Sequence, residues 1–418
     1  MDVTVSANKI NGEIEIISSK SELHRMIILA CLKKTTTRVF FHGKECDDVI
    51  ATLSCMREIG VLIESKDNCY TITPPNEFNK SVKINVRESG STLRFLLPVL
   101  SALGITCEIK TAGRLSERPL FPLDKLLQEN GVTLSRNGDT ITLLGKLSGH
   151  DFKIDGAVSS QFVTGLLLSL VAKGEKGSVT VTGKFESKPY VDLTVDVMRK
   201  MGVSVEENDN VYTVIGKEDL NESLQIKAGG DWSNSAFFAC MGAVGGSVIV
   251  KGALSDSKQG DSKVLDILQS MGAKINVCND FFSVEKSELK AVGIDASDIP
   301  DIIPPLACVC ARANGVSKIY NATRLRLKES DRIKTVVNML KAVGVVVEET
   351  QDGMMIYGNP NAKLCGEVDG ANDHRIVMSS AILAIGGLVT INGAQAVKKS
   401  YPQFFEEIKK LGYEIKEV

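Results

Sequence analysis

Six glycines, Gly60, Gly131, Gly202, Gly272, Gly344 and Gly412, recur about 70 residues apart along this chain. They close six similar segments: LSCMREIG, LDKLLQENG, DVMRKMG, LDILQSMG, NMLKAVG and FEEIKKLG. A fixed period constrains the fold more than any single motif, because each copy must be one supersecondary unit that buries its apolar face on its neighbours. Val264, Ile267, Leu268 and Met271 fall at i, i+3, i+4, i+7, as do Val336, Met339, Leu340 and Val343, which is the spacing of an amphipathic helix. The glycine then stands where a left-handed cap is wanted. The stretch after each glycine alternates around Asn/Asp turns, as in GVSVEENDNVYTVIG, and reads as a hairpin.

A second helix recurs at the same period with a different character. Its openings are SSKSELHR, ESGSTLR, AVSSQF, GDWSNS, SDIPDII and ANDHR, leading into runs such as TGLLLSLVA and SSAILAIGG. A helix without a polar stripe is buried on most sides. The fold class expected is therefore α/β (α+β), with two similar domains of three repeated βαβαββ-type units each. Buried inner helices would be covered by outer sheets, an inside-out α/β barrel, with a cleft between the domains. One domain would comprise 1–14 plus 229–418, with the N-terminal strand Val3 to Ile10 completing it, and the other 15–228. Chain crossings are expected near Ile14–Ser19 and near Lys227–Gly230, the second following a hairpin that ends at Lys227. Pro304 and Pro305 predict an irregular first turn in the fifth buried helix.

Composition narrows the function classes. With 418 residues, 43% of them hydrophobic, the chain can bury a large core without disulfides or structural metals. A net charge of −2, from 49 basic and 51 acidic residues, argues against a general nucleic-acid or membrane-surface binder. The ten cysteines include no C-x-x-C pair and read as reduced thiols. The apolar run Phe162 to Ala172 falls short of the roughly 20 residues of a membrane span. The start, MDVTVSANKI, lacks signal-peptide architecture, so a cytoplasmic protein is expected. P-loop, dinucleotide-binding and H-E-x-x-H motifs are absent. His24, His42, His150 and His374 have no metal-ligand spacing; His374, between Asp373 and Arg375 at a helix start, is the one with a plausible site role.

Helix starts offer unpaired N–H groups and the positive end of the macrodipole. Ser19-x-x-Glu22 matches a capping box that would project Lys20 and Ser21 outward. Ordinary capping explains any one opening. Openings that also carry Lys20, Arg25, Arg94 and Arg375 suit a ligand with more than one phosphate or carboxylate. RLSERP adds Arg114 and Arg118 in a loop before an amphipathic helix. RLRLKESDR adds Arg324, Arg326, Lys328, Glu329 and Arg332. A charge run is commonly a solvated face, but the Arg/Leu alternation over 324–327 reads as a strand end feeding a helix opened by Lys328-Glu329-Ser330-Asp331. Asp301 in DIPDII is either a cap or a catalytic carboxylate. A carboxylate among cations stays ionised and one in a drier pocket holds a proton, so such a pair could divide base and acid work.

Taken together, SKSELHR, ESGSTLRF, RLSERP, DGAVSSQF, ESKPYVDLT, DIPD, RLKESDR, NDHR and KKSYPQFF resemble the 5-enolpyruvylshikimate-3-phosphate (EPSP) synthase family over nearly the whole chain. The resemblance implies two three-unit domains joined by a double crossover. It implies enolpyruvyl transfer from phosphoenolpyruvate to the 5-hydroxyl of shikimate 3-phosphate, releasing phosphate through a tetrahedral intermediate, with no metal or other cofactor. It implies small-molecule partners only, no nucleic acid or membrane, and a monomer. By motif, the shikimate 3-phosphate contacts would be Lys20, Ser21, Arg25, Ser159, Ser160, Gln161, Ser187, Tyr190, Asp301 and Lys328. The phosphoenolpyruvate contacts would be Lys20, Gly90, Arg118, Gln161, Arg332, Arg375 and Lys399. Asp301, Glu329 and Lys20 would be catalytic, with the division of proton transfers open. Glu88 and Arg324-Leu325 depart from the family pattern and are assigned no role. A sister transferase acting on a UDP-amino sugar typically carries a reactive Cys before the position of Arg118, and TAGRLSER has none. An RNA 3′-phosphate cyclase, which shares related repeat units, or a six-repeat sliding clamp on DNA would need a broad basic surface.

Overall fold

The computed structural model describes residues 1–216 and 223–418. Twelve α-helices alternate between inner and outer positions along the described chain: α1 (Lys20–Cys31), α2 (Asp47–Glu58), α3 (Gly90–Leu103), α4 (Leu123–Glu129), α5 (Ser160–Lys173), α6 (Lys188–Lys200), α7 (Trp232–Gly245), α8 (Val264–Ser270), α9 (Ile303–Cys310), α10 (Arg332–Ala342), α11 (His374–Leu383) and α12 (Phe404–Lys410). The odd-numbered helices are the apolar runs, and nearly every residue in them is buried. The even-numbered helices bury one face. The six repeat glycines follow them with φ between +85° and +102°, a conformation that costs glycine least.

Each repeat contributes to a four-stranded sheet of one pattern. Ser81–Arg87 runs into α3, returns as Thr106–Thr111 parallel to itself, and then takes the hairpin strand Thr140–Gly145 antiparallel, with Val132–Asn137 outside it. A buried apolar helix links the parallel pair and an amphipathic helix precedes the hairpin, the βαβαββ order. Asp209 and Asn210 make one such hairpin turn with positive φ, as residues tolerant of that region do. The result is a mixed α/β fold of six open sheets among the described residues.

Three sheets borrow a strand from a distant part of the sequence. Val3–Ser6 sits between Leu388–Asn392 and Glu414–Glu417 and completes the sixth sheet. Ile10–Glu15 lies parallel to Gly246–Lys251 in the fourth. The stretch expected as one strand, Val3 to Ile10, is thus two strands broken at 7–9, because its halves serve different sheets. Leu224–Lys227 runs parallel to Thr37–Phe40 in the first sheet, so it is an opening strand and not the end of a hairpin.

The chain forms two compact units of equal span, Met1–Ser19 with Gly229–Val418, the larger by its described residues, and Lys20–Ala228, the smaller because 217–222 fall within it. The first segment of the larger unit runs past Ile14 to Ser19 because Ile16, Ile17 and Ser19 bond to Lys251, Asp231 and Gly229. Each unit has its own apolar core, built around α7, α9 and α11 in the larger and α1, α3 and α5 in the smaller. Pro304 and Pro305 occupy the first turn of α9, where their missing N–H groups break no helical bond. They set where α9 begins and leave Asp301 just ahead of it.

Pro98 inside α3 removes the N–H that would bond to the Arg94 carbonyl. Gly165 of α5 packs there, and a Cβ at 165 would run into the Arg94 carbonyl oxygen and sit 3.1 Å from the Pro98 ring. Gly165→Ala is expected to destabilise the smaller unit by about 1–3 kcal/mol through overpacking. Chemical denaturation reads this as a lower midpoint; an unchanged midpoint would mean that α3 and α5 can separate freely.

Candidate active site

Inner helices that are apolar along most of their length carry most of their charged groups in the first two turns, and the candidate residues collect there. In the larger unit Arg332, first residue of α10 and 1% exposed, is the hub. Its Nε donates to Asp373 Oδ2 at 2.8 Å and its Nη2 to Asp373 Oδ1 at 3.2 Å. Nη1 donates to Asp301 Oδ1 at 2.8 Å and Nη2 to Glu329 Oε2 at 2.6 Å. One guanidinium therefore holds three carboxylates, two of them the candidate proton-transfer groups. Burial works against the Arg332 charge, but Asp373, Glu329 and Asp301 outweigh it and raise its pKa further.

Asp373 is wholly buried and caps α11 by accepting from the Arg375 N–H at 2.9 Å; it also accepts from the Ser330 hydroxyl. A charge so placed is tolerable only because guanidinium, hydroxyl and helix N–H satisfy it together. Asp301 also receives Lys328 Nζ at 3.3 Å and lies 3.6 Å from Arg375 Nη2. Arg375, 3% exposed, stands over the Phe237 ring, and its Nη1 donates to the Ser233 carbonyl. Lys399 donates to the Asn372 carbonyl at 2.5 Å, one residue from Asp373.

Residues 323–327 form a 3₁₀ turn instead of the strand end expected from the Arg/Leu alternation. Leu325 alone is buried there, and Arg326 reaches Asp331 and Glu349. The helix itself opens at Arg332 with Asp331 as N-cap, so Lys328 and Glu329 lie in the connecting turn, outside helical geometry and aimed at Asp301 and Arg332.

The smaller unit holds the other candidates. Lys20 begins α1, and its Nζ pairs with Asp48 Oδ2 of α2 at 2.8 Å. Arg25, one turn on, is 2% exposed and turns inward. It donates to the Ser21 and Tyr190 carbonyls and to the Thr194 and Thr164 hydroxyls, beneath the Phe95 ring. Burial brings its pKa down to about 10, which still leaves it charged at neutral pH. In this arrangement Arg25 braces α1 against α6. Ser187, at φ +56°, stands at the N-cap position of α6 without a side-chain capping bond, its carbonyl accepting from the Tyr190 N–H. Ser159 caps α5 by accepting from the Gln161 N–H, with Ser160 buried beside it. Gln161 bridges α3 and α5, accepting from Arg94 at 2.8 Å and donating to Ser91 at 2.9 Å.

Gly90 opens α3 in this cluster. A Cβ there would lie 2.9 Å from both Arg118 Nη1 and Arg94 Nη1, so the missing side chain is what lets two guanidiniums crowd one helix N-terminus. Two cations converging on unpaired N–H groups make a place for an anion. His24 of α1 is fully buried, with Nδ1 2.7 Å from the Thr52 hydroxyl. Burial, with Lys20 and Arg25 nearby, pushes its pKa well below the usual value and keeps the ring neutral.

The structure thus brings Asp301, Lys328, Glu329, Arg332, Arg375 and Lys399 together in the larger unit. In the smaller unit it places Lys20, Ser21 and Arg25 on α1, Gly90 with Arg118, and Ser159, Ser160 and Gln161 with Arg94. Sequence reasoning missed Asp48 and treated Asp373 only as a neighbour of His374. Both sit at helix starts, where an Asp reads as an ordinary cap, and only the fold shows which cation each one meets. No group of His, Cys, Asp and Glu that could hold a metal occurs among the described residues.

A model of the family described as EPSP synthase (3-phosphoshikimate 1-carboxyvinyltransferase) matches residues 5–408. The chain belongs to the EPSP synthase family. It is 36% identical to a 3-phosphoshikimate 1-carboxyvinyltransferase of Clostridium kluyveri over 99% of this chain and 98% of that one. The protein of that name from Methanocorpusculum labreanum is 35% identical over the full length of both. The EPSP synthase structure from Acinetobacter baumannii superposes with a TM-score of 0.81 at 25% identity, covering all of both chains. The enolpyruvyl transferase NikO from Streptomyces tendae shares the fold, with a TM-score of 0.76 at 18% identity. Membership makes this protein an enzyme of the carboxyvinyltransferase class.

Lys328 provides a titration that can be read directly. A fifth of its side chain stays exposed, yet desolvation of the ammonium brings its pKa from 10.5 down to about 8, with Asp301 opposing and Arg332 assisting. Between about 8 and 10.5 the unfolded chain keeps a proton that the folded protein has released. This group therefore adds stability as pH rises through that window, and costs stability below it. NMR of reductively ¹³C-methylated protein should show one lysine titrating near pH 8, lost in Lys328→Gln. A Lys328 signal titrating near 10.5 would contradict the desolvation.

Proposed function

We propose that this protein transfers the enolpyruvyl group of phosphoenolpyruvate to the 5-hydroxyl of shikimate 3-phosphate, a step of the shikimate pathway leading to aromatic amino acids, and that it works as a cytoplasmic monomer without metal or organic cofactor. The observation that carries the reading is the Arg332 hub, where one buried guanidinium holds both Asp301 and Glu329 with Lys328 and Arg375 beside them. Family membership supplies the substrates; the hub supplies a chemistry that fits them.

The reaction adds an alcohol to an unactivated enol carbon, so a base must take the hydroxyl proton while an acid protonates the methylene carbon. Asp301 takes the proton of the 5-hydroxyl as the O–C bond forms at C2 of phosphoenolpyruvate. Glu329 or Lys20 gives a proton to C3, which becomes a methyl group. The tetrahedral intermediate then loses a proton from C3 and expels phosphate from C2, restoring the double bond in the product. Cations at Arg118, Arg375 and Lys399 offset charge on the departing phosphate.

Asp301 and Glu329 are both tied to Arg332 before substrate arrives. A carboxylate or phosphate of phosphoenolpyruvate that competes for Arg332 and Arg375 would release the Glu329 carboxyl from that guanidinium. The substrate itself would thereby free the group assigned to its C3. Shikimate 3-phosphate is assigned to Lys20, Ser21, Ser159, Ser160, Gln161, Ser187, Tyr190 and Lys328, with Arg25 acting by holding α1 and α6. The inside-out barrel arrangement of each unit belongs to the same reading, since it leaves inner-helix starts as the places where polar residues gather.

The deciding assay is phosphate release from phosphoenolpyruvate without added metal, offered shikimate 3-phosphate or a UDP-amino sugar. Release with shikimate 3-phosphate alone is expected; release with the sugar alone would overturn the acceptor. Glu329→Gln and Asp301→Ala should each lower kcat by about 10²- to 10⁴-fold, the range for loss of a general acid or base. A near-normal rate in either variant removes that residue from its role. Gly90→Ala must push aside the guanidiniums of Arg118 and Arg94. It should weaken inhibition by a phosphonate such as glyphosate more than it raises KM for phosphoenolpyruvate, and equal effects would place the anion elsewhere.

A further inference from the structure

The larger unit has a second concave site, at the other end of its inner helices. A cavity of about 930 Å³ opens where α7, α9 and α11 finish, walled by residues 286–290 and 358–363 and by Arg312. None of Asp301, Lys328, Glu329 or Arg375 lines it. The ten residues of α11 alone, at 1.5 Å each, put about 15 Å between its Asp373 cap and this end.

The lining is amphipathic. Val244, Leu289 and Ile385 belong to the apolar core or pack on it and form one side. Lys286, Lys290 and Lys363 are exposed on the other, where Glu288 is the acid among the lining residues. Converging helix C-termini ordinarily repel an anion. Here Arg312 offsets the end of α11, because its guanidinium donates to the carbonyls of Leu383 and Ile385, and also to that of Ala362. Its Nε is buried with no partner, and burial lowers its pKa. With Arg312 occupied at that helix end, the three exposed lysines are the cations placed to meet a ligand. The volume falls in the range of small-molecule sites; the lining is more polar than most of them, which suits a charged ligand with a small apolar body.

We infer that this cavity binds a small organic anion, its apolar body on Val244, Leu289 and Ile385 and its phosphate or carboxylate groups at Lys286, Lys290 and Lys363. The site is distinct from the Arg332 cluster and lies wholly within the larger unit. Isothermal titration of the full-length protein with 1-naphthyl phosphate tests it, in wild type, in Lys290→Glu/Lys363→Glu and in Arg118→Ala/Arg375→Ala. Saturable binding should persist in the Arg118→Ala/Arg375→Ala variant. It should weaken about tenfold or more in the lysine variant, as loss of charge-assisted contacts requires, while that variant turns over like wild type. Both lysines are exposed, so folding is not at stake. Inorganic phosphate should bind the Arg118→Ala/Arg375→Ala variant about tenfold more weakly than the naphthyl ester, for want of the apolar body. Binding lost in the Arg118→Ala/Arg375→Ala variant but kept in the lysine variant would overturn the inference. So would no binding at millimolar 1-naphthyl phosphate.

Discussion

A helix with no polar stripe has to be surrounded, and that constraint governs this protein. The inner helices α1, α3, α5, α7, α9 and α11 can exist only inside shells made by their own sheets and outer helices. Most charged groups then gather toward the starts of those helices, where unpaired backbone groups must in any case be satisfied. Serine and aspartate caps, and the cations that face them, gather at the starts. Arg312 answers the carbonyls where α11 finishes. Chemistry and capping share the same few residues, which is why Asp373 both caps α11 and anchors Arg332.

The borrowed strands arise from the same need. A unit with an uncovered sheet position would expose edge groups and core together. Val3–Ser6 and Ile10–Glu15 fill two such positions in the larger unit, and Leu224–Lys227 fills one in the smaller. The order of the chain is cut so that every sheet ends with four strands. Arg332 plays a comparable part among the charges, since three carboxylates close to one another would repel without it. Any anion that draws on this guanidinium changes the balance of all three.

Much of the architecture was legible in the sequence because it repeats. The glycines after the amphipathic helices, the Asn/Asp hairpin turns and the apolar inner runs each have a local physical signature. What was not legible depends on partners far away in sequence. Val3 to Ile10 reads as one strand until two different sheets divide it. Residues 324–327 alternate like a strand, but Arg326 is drawn to Asp331 and Glu349 and the backbone closes into a turn. Motifs name Lys20 and Arg332 as site residues, whereas Asp48, which pairs with Lys20, goes unnamed because an aspartate opening an outer helix has no mark to distinguish it from a cap. Arg25 was placed on the ligand, and the fold shows it bonded inward to Ser21, Thr164, Tyr190 and Thr194.

In the reaction proposed, acid and base around Arg332 add to the enol carbon and then eliminate from it. Running phosphoenolpyruvate and shikimate 3-phosphate with the enzyme in D₂O tests this. Addition makes C3 a methyl group carrying one solvent hydrogen, and elimination removes one of its three. Deuterium in the methylene of the enolpyruvyl product is therefore expected, seen by NMR or mass spectrometry. Product formed with phosphate release and an unlabelled methylene would rule addition followed by elimination out.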